Sequence, residues 1–162
     1  MKQTADYLRA TVANLMPLFE ALNDENTSQK PFPNKWSKKE ILGHLIDSAA
    51  NNQQKFVRMM QQSHLDFVGY EQNHWVDAQQ YNKTNWVELL TFWQHFNLHI
   101  AHIIENVATS CLQNTINING EGPFALAFIM KDYVEHLKHH ARQILPDADI
   151  ESAFVNVYNN EV

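Results

Sequence analysis

The segment HLKHHARQI, residues 136–144, places three histidines within five positions. If the segment is helical, the i, i+4 spacing stacks the side chains of His136 and His140 on one side of the helix. Two imidazole nitrogens at that spacing can reach one metal ion, as they do in metal-binding HExxH helices. Clustered histidines repel one another when they are protonated, so this grouping is costly unless the rings stay neutral. The segment is therefore a candidate metal site.

His44 is the histidine that can best join this pair from elsewhere in the chain. It follows Ile41 by three residues, which places it at the margin of the inner face of its predicted helix. A single histidine at a core edge is more often a hydrogen-bonded structural residue than a ligand, and that alternative stays open. His139 points away from the apolar stripe of its helix and is a weaker candidate than its two neighbours.

The remaining histidines are also weaker candidates. Three of them share a helical face opposite the apolar stripe, so we expect that face to be in water, without the second shell of a metal site: His95, His99 and His102. His64 and His74 lie in a long polar connection, where a solvated role or a gate is expected. Cys111 is the only cysteine. It lies in a polar loop where nothing nearby would lower the pKa of its thiol.

Four amphipathic stretches must position these side chains, each with apolar residues spaced three and four apart. The second stretch has the clearest start, because Ser37 and Glu40 form a capping-box pattern. Four helices of about twenty residues, each with one stripe, should pack as an all-α four-helix bundle. The predicted helices cover residues 4–22, about 38–60, 85–108 and 123–146.

The connections between these helices differ in length. Residues 61–83 show no clean period, and a connection of this length is usually functional or a crossover. Residues 110–120 contain an alternating stretch that predicts a short hairpin or an extended excursion. We take residues 1–146 as one bundle and residues 147–162 as a tail that packs on it or trails from it.

Composition limits the classes of function. The formal net charge of −6 argues against a nucleic-acid-binding protein, which needs a basic surface. No stretch is apolar enough to span a membrane, and the first ten residues lack the apolar region of a signal peptide. With a single cysteine, these features predict a cytoplasmic location. Large aromatic residues outside the four stripes, namely Trp86, Phe92 and Tyr158, predict a homodimer interface.

Three segments together resemble one known family. KWSKKEILGHLIDS is similar to the Trp-Ser/Thr-x-x-Glu-x-x-x-His-Leu-x-Asp-Ser segment of the DinB-like superfamily of metal-binding four-helix bundles. YEQNHWVDAQQY resembles the loop that follows the second helix of that family, and HLKHHARQI resembles its closing His-x-x-His-His-x-x-Gln-Ile. The order and spacing match from about residue 1 to residue 146. The nearest branch includes the bacillithiol transferases.

The resemblance implies a metal triad of His44, His136 and His140. Helical phase selects the same three residues and rejects His139. The resemblance also implies a dimer, but it transfers no catalytic acid or base. A lid over the metal is expected from residues 61–83, which gives four candidates for the substrate pocket: Tyr70, Glu71, His74 and Trp75. The alternative is that the aromatic residues of this connection only plug the side of the bundle.

Three neutral imidazoles would hold one divalent ion and leave coordination positions open, as in a catalytic site. Zn²⁺ or Ni²⁺ suits these ligands best. We therefore expect a metal-dependent enzyme that acts on a small molecule. It would be either an S-transferase for a low-molecular-weight thiol or a hydrolase. The alternative is a non-catalytic, stress-related bundle that binds a metal or a small ligand.

Overall fold

Four long helices pack side by side in the computed structural model, which describes residues 1–157. The elements in chain order are α1 (Lys2–Glu20), α2 (Asp24–Ser28), α3 (Lys38–Gln61), β1 (His64–Phe67), α4 (Gln72–Gln79), α5 (Trp86–Glu105), β2 (Thr115–Ile118), β3 (Glu121–Ala125) and α6 (Leu126–Ile144). Short 3-10 turns precede α5 at Tyr81–Lys83 and follow it at Thr109–Cys111. Both α1 and α3 pack against α5 and α6, so these four helices surround one core.

The four long helices confirm the mainly helical prediction, with bounds within a few residues of those expected. The apolar stripe of α1 is buried as its spacing predicted. At the start of α3, the capping box is complete. The backbone N–H of Glu40 donates to Ser37 Oγ at 3.2 Å, and the N–H of Ser37 donates to Glu40 Oε2 at 2.8 Å. This reciprocal pair fixes where α3 begins, and with it the height of His44 in the bundle.

The prediction of a purely α-helical chain is wrong, because three short strands form a small sheet in the order β1-β2-β3. Strand β1 pairs in parallel with β2, and β2 pairs antiparallel with β3. Of the two alternatives predicted for residues 110–120, a short hairpin or an extended excursion, the structure has the hairpin, formed by β2 and β3. Asn119 and Gly120 form its turn, with φ of 51° and 88°, which suits an Asn-Gly pair.

Residues 61–83 are more regular than their sequence suggested. They contain β1 and α4, and the side chain of Glu71 caps α4 by accepting from the N–H of His74 at 2.7 Å. Strand β1 is four residues long, and its hydrogen-bonding partner lies about fifty residues further along the chain. A strand that short shows no measurable period, and its pairing is not local. Sequence periodicity therefore could not find it.

The last helix begins later than predicted. Pro123 lies in β3, at the edge of the sheet, and α6 begins at Leu126. Proline suits an edge strand as well as a first helical turn, because in both places its missing N–H leaves no internal partner unsatisfied. At the other end α6 stops at Ile144, just before Pro146, as predicted.

One aromatic residue of α5 that was predicted to lie on the surface, Trp86, is buried. Trp86 is only 2% exposed, and its indole Nε1 donates to the carbonyl of Phe19 at 2.9 Å. Phe92 is 55% exposed, as expected, whereas Tyr158 lies outside the described residues. The face that carries His95, His99 and His102 is exposed, as its phase predicted.

Beyond α6 the described chain forms no helix or strand up to residue 157. It runs back along α6, where Ser152 Oγ donates to the carbonyl of Glu135 at 2.8 Å and the N–H of Ala153 donates to Glu135 Oε2 at 2.7 Å. None of the helices within residues 1–157 is long and apolar enough to cross a membrane.

Candidate metal centre

The three predicted ligands come from two neighbouring helices. His44 lies on the second turn of α3, and His136 and His140 lie on successive turns of α6, which packs against α3. One ring nitrogen from each residue lies within 4.8 Å of the other two. The structure therefore brings together the same three histidines that helical phase and the family resemblance selected.

Nε2 of His136 and Nε2 of His140 face each other inside this cluster, 3.1 Å apart. His44 Nε2 is buried and has no hydrogen-bond partner within residues 1–157. The ring centroid of His44 lies 4.6 Å from that of His140 and 5.4 Å from that of His136. A buried nitrogen without a partner is costly, so this arrangement requires an explanation.

The Nδ1 atoms face outward, each toward a different polar group. Nδ1 of His140 donates to Gln143 Oε1 at 2.9 Å. Nδ1 of His136 lies 3.5 Å from Ser48 Oγ, and Nδ1 of His44 lies 3.5 Å from the hydroxyl of Tyr70. A neutral imidazole carries one N–H. When Nδ1 is the donor, the lone pair of Nε2 remains free to bind a metal, as in most histidine metal sites.

The donor set fits a divalent ion. Two nitrogens that each lie about 2.0–2.1 Å from one ion are about 2.8–3.4 Å apart, for bond angles between a right angle and the tetrahedral angle. The distance of 3.1 Å between His136 Nε2 and His140 Nε2 falls in that range. An ion there would also give His44 Nε2 the partner that it lacks among the described residues.

Burial keeps these rings neutral. It lowers the pKa of His44 to about 3 and that of His140 to about 4, and it holds the pKa of His136 well below its usual value. The mutual repulsion of the three histidines adds to the effect on His44 and His136. A metal binds the deprotonated ring, so at neutral pH it would displace no proton from these side chains.

Aromatic rings cover the His44 side of the cluster. The ring centroid of Trp36 lies 5.1 Å from that of His44, and the ring of Tyr70 is stacked on His44 at 6.5 Å. The ring of Trp75 packs on that of Tyr70, with the two centroids 4.8 Å apart. Of the four candidates for the substrate pocket, the structure thus places Tyr70 against a ligand and Trp75 behind it. It places Glu71 and His74 at the exposed start of α4.

Asp47 fixes the connection that carries Tyr70. Its buried carboxylate accepts from the hydroxyl of Tyr81 at 2.6 Å and from Gln79 Nε2 at 2.7 Å, both through Oδ1. Burial raises the pKa of Asp47, and these two hydrogen bonds oppose the rise. The carboxylate therefore holds α4 and the following turn against α3, one helical turn beyond His44.

Sequence reasoning missed three residues around the cluster. Ser48 and Gln143 contact the Nδ1 atoms, and Trp36 packs on His44 instead of acting only as an apolar contact at the helix start. Two signals were present. Ser48 interrupts an otherwise apolar face, and Gln143 follows His140 by three residues, within reach on a helix. Trp36 matches the Trp of the family segment, but its contact with His44 depends on the angle at which the chain enters α3, which the motif does not give.

Comparisons with known proteins bear on the family and the fold. The model of the DinB superfamily matches residues 7–144. The solved structure described as "YfiT from Bacillus subtilis is a probable metal-dependent hydrolase with an unusual four-helix bundle topology" is similar in fold. Its TM-score is 0.80 at 16% sequence identity, covering 89% of this chain and 83% of that chain. A comparison with curated proteins found no significant match. Because the family model spans most of the chain, the protein belongs to the DinB superfamily.

Proposed function

We propose that this protein is a metal-dependent enzyme that binds one divalent ion, Zn²⁺ or Ni²⁺, through Nε2 of His44, His136 and His140. The observation that carries the proposal is the arrangement of the three rings: one nitrogen of each lies within 4.8 Å of the other two, Nε2 of His136 faces Nε2 of His140, and each Nδ1 faces a separate polar group. Burial alone would not orient all three rings in the same sense.

A catalytic role is favoured over a purely structural one because three protein ligands leave coordination positions open. When bound, such an ion acts as a Lewis acid and lowers the pKa of a thiol or water that it binds. The protein's own residues then orient the ligands and limit the access of water. Trp36 and Tyr70 exclude water from the His44 side.

S-transfer with a low-molecular-weight thiol is the reaction that we favour, in line with the resemblance to bacillithiol transferases. The protein supplies no thiol at the site. Cys111 Sγ lies 3.6 Å from the carbonyl of Met60, at the end of α3 far from His44, so the reacting thiol would come from the substrate. A predicted cytoplasmic, reducing environment would keep such a thiol reduced.

A hydrolase is the second candidate. The similarity in fold to YfiT, which is described as a probable metal-dependent hydrolase, supports it. The same Lewis acid would serve either reaction, so a direct comparison of the two activities is needed.

The test uses purified protein reconstituted with Zn²⁺ or Ni²⁺. Conjugation of 2-mercaptoethanol and of cysteine to monobromobimane is measured beside the hydrolysis of a panel of p-nitrophenyl esters. We expect metal-dependent conjugation that is absent from the metal-free protein and from His136→Ala. Ester hydrolysis without conjugation would favour the hydrolase. Inactivity of metal-loaded protein in both panels would contradict the enzymatic proposal.

Removal of the metal separates a catalytic site from the non-catalytic alternative. A structural ion would raise the melting temperature strongly, because its binding energy is part of the folding energy. In this protein the four-helix core is built from apolar residues, so we expect removal to abolish turnover and to lower the melting temperature only modestly. A large loss of stability with no activity to lose would favour the structural alternative.

A further inference from the structure

The three ligands are not equally covered. His44 is fully buried and His140 is 4% exposed, whereas His136 is only partly buried. His136 is therefore the most exposed of the three. The ring contacts of Trp36 and Tyr70 described above are made with His44.

The C-terminal tail crosses the His136 side of the cluster. Two hydrogen bonds to Glu135, the residue just before His136 in α6, hold Ser152 and Ala153 in place. The ring of the next residue, Phe154, then lies edge-on to His136, with centroids 5.1 Å apart and planes at 75°. It also lies 5.4 Å from the ring of His139.

Phe154 differs from its neighbours in the tail. Its side chain is partly buried, whereas Ala153 and Val155 are exposed, the latter by 69%. The tail thus directs the ring of Phe154 toward α6, at the candidate ligand that is most exposed. The contact also explains His139, the remaining histidine of the segment 136–144. Its ring supports that of Phe154 and is not part of the His44–His136–His140 cluster.

We propose that the tail is part of the active site, with Phe154 as a cover over the open side of the His44–His136–His140 cluster that limits access to the bound metal. This inference rests on the metal site of the proposed function. The cover is held by few contacts, so it opens at a small cost in free energy compared with the helices. Each ligand or ion that enters or leaves must wait for that opening.

A cover has a kinetic signature that structural support lacks. It slows entry and exit by the same factor and leaves the dissociation constant unchanged. A residue that merely supports His136 would instead change the dissociation constant. The two roles can therefore be separated by measuring rates and equilibrium together.

The experiment measures Zn²⁺ uptake and its release to the chelator 4-(2-pyridylazo)resorcinol by stopped flow, and Kd by competition. The variants are Phe154→Ala and, as a matched control, Val155→Ala. For Phe154→Ala we expect both rate constants to rise by about fivefold, equivalent to about 1 kcal/mol, with Kd changed by less than about twofold. Val155→Ala should keep both rates. Circular dichroism checks that each variant folds.

Unchanged rates in Phe154→Ala would overturn the inference while the metal site stands. So would faster release without faster uptake, because that result means weaker binding and not an opened cover. Failure of the unmodified protein to bind Zn²⁺ would overturn both the metal site and the cover.

Discussion

The two ring nitrogens of the candidate ligands have different surroundings, and this division defines the candidate site. Gln143, Ser48 and Tyr70 face the Nδ1 atoms, and Nε2 of His136 faces Nε2 of His140. Since Gln143 Oε1 can only accept a hydrogen bond, Nδ1 of His140 carries the proton and leaves the Nε2 lone pair of His140 free to bind a metal.

Selectivity among the histidines is the most direct consequence. Substitution of His44, His136 or His140 by alanine should abolish stoichiometric metal binding, because each supplies one of the converging nitrogens. His139→Ala and His99→Ala should retain it, since the ring of His139 packs on Phe154 and His99 is exposed on α5. Metal content after gel filtration measures the effect. Retention in His136→Ala, or loss in His99→Ala, would mean that the ligands are assigned incorrectly.

Gln143 should matter although it would not touch the metal. Its Oε1 accepts from Nδ1 of His140, and its Nε2 lies 3.4 Å from Nε2 of His139, so the amide is held at both ends. Gln143→Ala should raise the Kd for Zn²⁺ by about tenfold, at the lower end of the range for outer-shell partners of metal ligands. Gln143→Glu keeps the acceptor and should restore most of the affinity. The exposed neighbour Arg142 provides the control as Arg142→Ala, and equal Kd values for all variants would remove Gln143 from the site.

At the scale of elements, the connection between α3 and α5 supplies the aromatic wall of the candidate site, which consists of Tyr70 and Trp75. Asp47 holds the second half of this connection against α3 through its hydrogen bonds to Gln79 and Tyr81. Tyr70 lies between the end of β1 and the start of α4. The wall is therefore positioned by contacts made on both sides of Tyr70.

Trp75 tests whether this connection is a lid or only a plug. Its side chain is 36% exposed and packs on Tyr70, so its removal costs the core little and leaves Tyr70 unsupported. Trp75→Ala should keep the metal and most of the thermal stability but change KM or the substrate range. A lower melting temperature with unchanged kinetics would show that the ring serves only as packing.

Gly43 lets the turn before α5 pack directly on α3. A Cβ at this position would lie 2.0 Å from the ring of Tyr81. Gly43→Ala should therefore destabilise the fold by about 1–3 kcal/mol through overpacking, despite the better helix propensity of alanine. Urea unfolding measures this change in the free energy of unfolding. In a Tyr81→Ala background the clash is gone, so the same substitution should cost nothing further, and an equal cost in both backgrounds would refute the steric explanation.

Sequence alone predicted the parts of the fold that depend on local pattern. The four apolar stripes gave the long helices, and Ser37 with Glu40 gave the start of α3. The phase of α6 separated His136 and His140 from His139. Strand β1 was missed because its partner is distant in the chain, and Pro123 misled because it suits two contexts. The contact of Phe154 with His136 was beyond prediction, since a tail without periodicity gives no sign of where it packs.

At the scale of the whole molecule, the candidate site lies along the contact between two helices of the bundle, α3 and α6. Its ligands come from α3 and α6, and the tail and the α3–α5 connection approach from outside. Helix α5 carries none of the ligands, so its outer face is free to serve assembly without disturbing the site.

That outer face predicts a homodimer. Phe92 is 55% exposed and stacks on Phe96 at 5.7 Å, which gives a paired aromatic surface that water solvates poorly. A stable dimer needs about 800 Å² buried on each partner, more than two rings supply, so neighbouring residues of α5 would take part. We expect light scattering at micromolar concentration to give the dimer mass, and Phe92→Lys to give the monomer mass with metal content retained. Val68→Lys changes a side chain that is 87% exposed on a different part of the chain, and should leave the dimer intact. A monomer mass for the unmodified protein would end the expectation, and dissociation by Val68→Lys alone would move the interface away from α5.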